Sequence, residues 1–206
     1  NALDVYGTIT LNAASLDLAG KNLTLKSNAT NTARIADLTG SSLTGATNVT
    51  MERYIKLRAG GDGRAYRLLT PTVNTTGSIK ANWMEGGMNT AIGTNVNPVP
   101  GYGTQITGSG GNANGFDKTQ SNAASLYYTS NGVTPGYTAV TSTAGTMNAK
   151  TGYFMYVRGD RNQDMTIPLA PNMPTSATTL RATGTLVQGT QTSFTNAFTG
   201  GGALNL

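Results

Sequence analysis

Near its start the chain carries three apolar pairs of the form Leu-x-Leu at a seven-residue spacing: Ile9 and Leu11, Leu16 and Leu18, Leu23 and Leu25. The spacers are small or polar, Asn12 to Ser15 and then Ala19 to Asn22. A coiled coil needs sustained heptads with charged flanks, whereas these spacers are turn formers. The pattern predicts short strands with tight corners, stacked so that a ladder of Leu and Ile is buried as in a solenoid. A plain β-meander is the alternative. Ala33, Ile35, Leu38 and Leu43 continue the pattern less regularly. Residues 1–48 are therefore read as a stack of short strands with open ends, one covered by the segment that follows and the other by a preceding unit.

From Val49 to Val73 the pattern changes to period two. Val49, Met51, Ile55 and Leu57 alternate with Thr50, Glu52, Tyr54, Lys56 and Arg58, and Arg53 interrupts the apolar side. A second β-rich run spans Ala65–Val73, after a link holding Gly60, Gly61, Asp62 and Gly63. Glycine and aspartate tolerate the positive φ of a reversal, so the two runs are predicted to form an antiparallel hairpin. Five of the fourteen basic residues lie here: Arg53, Lys56, Arg58, Arg64 and Arg67.

Composition supports strands throughout. Charged residues make up 11% of the chain and the polarity comes from 35 Thr and 27 Gly, together with Asn and Ser. Threonine suits a half-buried pleated surface, while glycine and asparagine make turns. The net charge of +5 is scattered outside the 49–73 segment, so a nucleic-acid-binding face is not expected. The chain has no cysteine and no histidine. That excludes disulfides, thiolate or imidazole zinc sites, and Ser-His-Asp or Cys-His catalysis built from this chain. No apolar run approaches the ~20 residues of a membrane helix, so no insertion by such a helix is expected. The first residue is Asn and the last four, Ala203 to Leu206, begin an alternating strand. Both ends predict that the natural polypeptide extends further.

Residues 49–206 read as a β-sandwich-like domain. Ser78 is placed to cap a short helix over Ile79–Glu85, ended by Gly86-Gly87. A glycine-rich loop follows over 88–115, either functional or covering a sheet edge. Ser125–Tyr128 and Gly136–Val140 read as strands about an Asn131-Gly132 turn, Gly152–Arg158 as a central strand, then Met165–Leu169, Thr178–Val187, Gln191–Phe194 and Ala203–Leu206. The expected class is all-β: a short solenoid-like or meander stack, then a β-sandwich-like domain with one short helix.

Several strings carry a resemblance: ERYI at Glu52, RAYRLLTPTV at Arg64, WMEG at Trp83, PGYGTQITG at Pro100, NGFD at Asn114 and GYFMYVRGDR at Gly152. Together they resemble a recurrent β-rich region of large secreted surface proteins of Bacteroidota, cargo of type IX secretion. The resemblance covers roughly residues 49–206, and the Leu-x-Leu stretch resembles the solenoid-like segments that precede that region. A G-N-P-Y continuation usual in relatives is absent. The resemblance implies an extracellular, cell-surface setting. It brings no catalytic residues.

Candidate sites are few. Trp83, Tyr102, Tyr127 and Tyr128, with Tyr137, are candidates for stacking on sugar rings, while Tyr153, Phe154 and Tyr156 are assigned to the core. Asp160, Asn162 and Asp164 place oxygens at alternate positions, as in a calcium loop, with Asp117 available to join by folding; the plainer reading is an Asx turn. Arg158-Gly159-Asp160 is an integrin-type tripeptide, read first as a turn. Glu52 and Glu85 are the acids nearest aromatic residues, but a glycosidase would also need a cleft. The basic 49–73 segment could meet an anionic glycan, although the preferred reading is that Arg53 and Arg67 pair with Glu52 or Asp62 or lay their stems over the sheet. The expected function is non-enzymatic: a structural or adhesive module, such as a stalk, fibre or adhesin segment, partnered by neighbouring modules, copies of itself or surface glycans. A carbohydrate-binding module is the alternative. No cofactor is expected beyond calcium.

Overall fold

The computed structural model describes residues 2–56, 65–129, 136–163, 165 and 176–189. The first coil of the chain consists of β1 (Leu3–Val5), β2 (Thr8–Ile9) and β3 (Ser15–Asp17). Upon it, parallel and in register, lie β4 (Leu23–Leu25), β5 (Arg34–Ile35) and β6 (Ser42–Thr44). Strand β7 (Val49–Ile55) then stacks parallel on β4. Leu3 lies beside Leu23, an offset of 20 residues, while Thr8 lies beside Arg34, Ser15 beside Ser42 and Leu23 beside Val49, offsets of 26 or 27. The solenoid-like expectation holds, but with a different unit. The first two Leu-x-Leu pairs mark successive sides of the first coil, the third opens the second coil, and stacked neighbours come from the adjacent coil. Leu23, Leu25, Leu43 and Val49 are buried along the ladder. Corners close tightly: at Gly45, with φ of +64°, a Cβ would lie 2.7 Å from the backbone nitrogen of Ala19.

The remaining strands are β8 (Ala65–Leu69), β9 (Val73–Thr75), β10 (Leu126–Thr129), β11 (Tyr137–Ala139), β12 (Tyr153–Val157) and β13 (Thr178–Leu186). They complete a five-stranded sheet ordered β1-β4-β7-β13-β9 and a four-stranded sheet ordered β11-β10-β12-β8. The result is an all-β, sandwich-like fold. The first sheet runs continuously from the coil into the later segment through the pairing of β4 with β7. Strand β12 is central, as its apolar sequence predicts. The strands predicted over Met165–Leu169, Gln191–Phe194 and Ala203–Leu206, and the turns at Gly60–Gly63 and Asn131-Gly132, lie wholly or largely outside the described residues.

The 49–73 hairpin does not form. Strand β7 pairs antiparallel with β13 over seven positions, from Ile55 beside Thr178 to Val49 beside Gly184. Strand β8 joins the other sheet against β12. The second run also divides: Pro71, which has no N–H to offer a ladder, precedes β9, and β9 returns to the first sheet beside β13. Strand β7 finds seven registered positions on the nine-residue β13, and β8 pairs along its whole length with the apolar β12.

Both sheets contribute to one core. Val49, Ile55, Leu180 and Ala182 come from the first, and Leu126, Tyr153, Met155 and Val157 from the second. Complete burial of each large apolar side chain is worth about 1.5–3 kcal/mol. Helix α1 (Ile79–Trp83) adds Ile79 and Trp83, and its Ser78 Oγ accepts from the Ala81 N–H at 3.1 Å, the predicted cap. Asn82 of the helix accepts from the β13 backbone at Thr183. The glycine-rich loop covers the same edge of β13: Gly103 N–H donates to Thr179 O and Thr179 N–H to Gly101 O, each at 3.0 Å.

That loop is packed rather than draped. Arg161 is wholly buried, and its Nη2 and Nη1 donate to the Asp117 carboxylate at 2.7 and 3.0 Å. Further donations go to Val96 O and Thr104 O. Asp117 also accepts from the Asn89 and Ile106 N–H groups. A buried charge pair survives only when its remaining hydrogen-bonding capacity is met, and here it is met by the loop backbone. Asp117 therefore does not join Asp160.

Candidate functional site

Three surfaces gather chemically active side chains. The first lies on the outward face of the five-stranded sheet. Pleating sends Thr50 and Glu52 of β7 away from the core, beside Thr24 and Lys26 on one flank and Arg181 and Thr183 on the other. Asp4, Ala81, Asn82 and Glu85 complete a polar cleft of about 340 Å³. Lys26 Nζ donates to Glu52 Oε1 at 2.7 Å, and the Ser27 N–H donates to Oε2 at 3.1 Å. Arg181 donates to both oxygens of Glu85. The Tyr102 ring lies 4.5 Å from the Arg181 guanidinium and 5.9 Å from the Lys26 ammonium.

Burial alone would lower the Lys26 pKa, but the hydrogen bond and charge of Glu52 outweigh it and raise the ammonium above its ordinary value. The hydrogen bond that Arg181 donates to Glu85 leads the causes that raise its pKa. Both cations are thus held charged. Glu52 and Glu85 do share a cleft, the condition that a glycosidase would require. Each carboxylate, however, is engaged by a cation, the reverse of the apolar surroundings that keep a catalytic acid protonated.

The second surface is the outward face of the four-stranded sheet. Phe154 and Tyr156 of β12 point outward with Tyr127 of β10 and Tyr66 and Leu68 of β8, while Tyr153, Met155 and Val157 point inward. The assignment of Phe154 and Tyr156 to the core is thus corrected, because successive strand residues face opposite ways. Phe154 is stacked between Tyr66, at 4.4 Å and 6°, and Tyr137, at 4.5 Å and 28°. Tyr127 and Tyr156 flank this stack, and the Arg158 guanidinium lies 5.0 Å from the Tyr156 ring. Burial within the cluster, followed by the charge and hydrogen bond of Tyr127, raises the Tyr66 phenol. Tyr66 and Tyr137 remain 45% and 53% exposed at the two ends of the stack.

The third is a cleft of about 390 Å³ where β7 and β8 approach, lined by Arg53, Tyr54, Ile55, Lys56, Tyr66, Arg67, Leu68 and Leu69. The predicted pairing of Arg53 or Arg67 with Glu52 is absent, because Glu52 points to the opposite face of β7 and binds Lys26. Asp62 lies outside the described residues.

The five predicted sugar-stacking residues do not form one surface, and only Tyr127 and Tyr137 share the outer aromatic face, both against Phe154. Trp83 is only 4% exposed and sits edge-on to Tyr153 at 5.1 Å, because the helix turns it into the core. Tyr102 borders the polar cleft through its cation contacts. Tyr127 and Tyr128, adjacent on β10, face opposite ways, and Tyr128 packs at the rim against Tyr153. Sequence reasoning missed Tyr66, Phe154 and Tyr156 as surface residues. The signal was the alternation in Tyr153–Val157 and Ala65–Leu69, which becomes a row only when β8 is known to lie beside β12.

At the calcium candidate, Asp160 Oδ2 accepts from the Gly101 N–H, while Oδ1 accepts from the Asn162 N–H and Ser176 Oγ. The plainer Asx-turn reading describes this geometry. Asp160 is only 8% exposed, so the Arg158-Gly159-Asp160 tripeptide does not present its acid to a receptor. Asn162 is exposed, and Asp164 lies outside the described residues. Among the described residues no group of three or more acids gathers for a metal. Chelation is accordingly expected to leave the melting temperature unchanged; thermal unfolding with calcium and with EDTA checks this, and a fall on chelation would restore the site.

The fold and surfaces define a sandwich-like β domain extended from a short parallel coil, with exposed aromatic and charged faces. No protein-family model, no curated protein and no solved structure matches the chain.

Proposed function

We infer that the chain is a non-enzymatic structural or adhesive module of a secreted bacterial cell-surface protein, joined to neighbouring modules or to copies of itself. The observation that carries this reading is the outer edge of β8. The Tyr156 N–H donates to Ser125 O, so the even-numbered residues of β12 bond toward β10 and the odd-numbered ones toward β8. In the antiparallel register Arg67 bonds Met155 and Leu69 bonds Tyr153, which directs the backbone groups of Tyr66 and Leu68 to the outer edge, beside which no described strand lies. Leu68 is 69% exposed there. Soluble proteins usually guard such an edge with charge, proline or a covering element. An edge bordered by an aromatic face suits strand addition instead. The extracellular setting rests on the resemblance of residues 49–206 to secreted surface proteins.

Sedimentation velocity and electron microscopy test the reading. Association that grows with concentration, or rods, is expected, and Leu68→Lys should suppress it while leaving the circular dichroism spectrum intact. A wild-type chain that stays monomeric and forms no rods would overturn the assembly role.

A carbohydrate-binding module is the second reading. The polar cleft favours it, since Thr24, Thr50 and Thr183 line it and the Tyr102 ring lies against two of its cations, Arg181 and Lys26. A glycan array with Tyr102→Ala as control would support it if substitution removes a signal.

A further inference from the structure

We propose that the cleft between β7 and β8 binds the oxyanion groups of an acidic polysaccharide. Among the described residues its three charged lining residues, Arg53, Lys56 and Arg67, are all cationic, and no acid lines it. Among the described residues the ion pairs are Lys26 with Glu52, Asp117 with Arg161, and Glu85 with Arg181, so none of the three cleft cations has an acidic partner there. The Nε of Arg67 is buried without any hydrogen-bond partner. No acceptor within the fold engages this nitrogen, so the Arg67 charge is not locked into an internal network, and a carboxylate or sulfate at the cleft would balance it.

The position of the arginines is also informative. Arg67 lies beside Met155 and Arg53 beside Leu180, each on the face of its strand that elsewhere supplies the core. Cations interrupt the apolar sides of two strands that meet at one cleft. Among the described residues neither arginine forms an ion pair, so charge pairing within the fold does not account for them. Tyr66 and Leu68, the exposed lip, give a sugar ring an apolar surface beside the charges.

This proposal rests on the adhesive part of the function above and not on self-assembly. Its test is calorimetric titration of the whole chain with dextran sulfate, polygalacturonate and neutral dextran at fixed ionic strength. Binding of at least one acidic polymer is expected, weakening with salt, with none of neutral dextran. Which polymer binds distinguishes a sulfate from a carboxylate ligand. The exposed pair Arg53→Glu with Lys56→Glu should weaken binding at least tenfold. The charge-matched pair Lys21→Glu with Lys150→Glu, which does not line the cleft, should change it less than twofold. Arg67→Gln gives a third variant that keeps the stem and removes the charge, and is expected to weaken binding as well.

Equal loss in the charge-matched control would mean that net charge alone attracts the polymer, and would overturn the site. So would binding unaffected by the cleft variants, absence of binding to either acidic polymer, or equal binding of neutral dextran. Sedimentation of the Arg53→Glu, Lys56→Glu variant separates this proposal from the assembly reading, since association through β8 should persist in it.

Discussion

Asp117→Ala is expected to destabilise the protein by about 3–5 kcal/mol, because it strands a buried guanidinium. Arg161 has no exposed surface and would keep only its donations to Val96 O and Thr104 O. The loss extends beyond the ion pair. The Asn89 and Ile106 N–H groups, both accepted by Asp117, would become buried donors without partners. For a chain of this size the melting temperature should fall by roughly 6–20 °C. Adding Arg161→Met should recover part of the loss, since an apolar side chain of similar length costs less than an unpaired charge. Urea unfolding of the wild type, both single variants and the double variant measures this coupling. A single Asp117→Ala variant within ~1 kcal/mol of wild type would show that the network is not what holds the 88–117 loop in place.

The second large effect is expected at Gly184. Three strands meet there: it lies beside Val49 of β7 and Thr75 of β9. A Cβ at this position would come within 2.0 Å of Asn74 O and 2.7 Å of the Thr75 Cα. The obstruction is backbone rather than a flexible side-chain tip, so β9 would have to separate from β13. Gly184→Ala should cost about 2–4 kcal/mol, at the upper end for adding a methyl group to a packed site. Hydrogen exchange should accelerate in Val73–Thr75 before it does in the β7–β13 ladder. Gly145→Ala is the matched control. No atom lies within 4 Å of its Cβ position and its φ is unexceptional, so a change within ~0.5 kcal/mol is expected. Equal effects at the two glycines would refute the close-approach argument.

Much of this protein is legible locally. Threonine-rich alternation marks Thr178–Leu186 as a strand, Ser78 marks the helix start, and the apolar Tyr153–Val157 run marks a central strand. The Leu-x-Leu spacing correctly indicates a stack of short strands. It could not reveal the repeat of the coil, because corners and stacked neighbours leave similar apolar traces. The sites were less legible. Trp83 resembles a sugar platform until the helix turns it inward, and Asp160 resembles a calcium ligand until Gly101 and Ser176 occupy its oxygens.

By itself the sequence determined that this chain makes short strands with tight corners, and that its chemistry proceeds without imidazole or thiol. Those properties depend on side-chain type and near-neighbour sterics. Tertiary structure decided which strand lies beside which, and therefore which rings form a surface and which cations share a cleft. The physical reason is that strand partners are chosen by burial and by hydrogen bonds between residues far apart in the chain. Arg53 and Arg67 look like members of one hairpin, yet their strands belong to different sheets, and Asp117 meets its arginine across 44 residues.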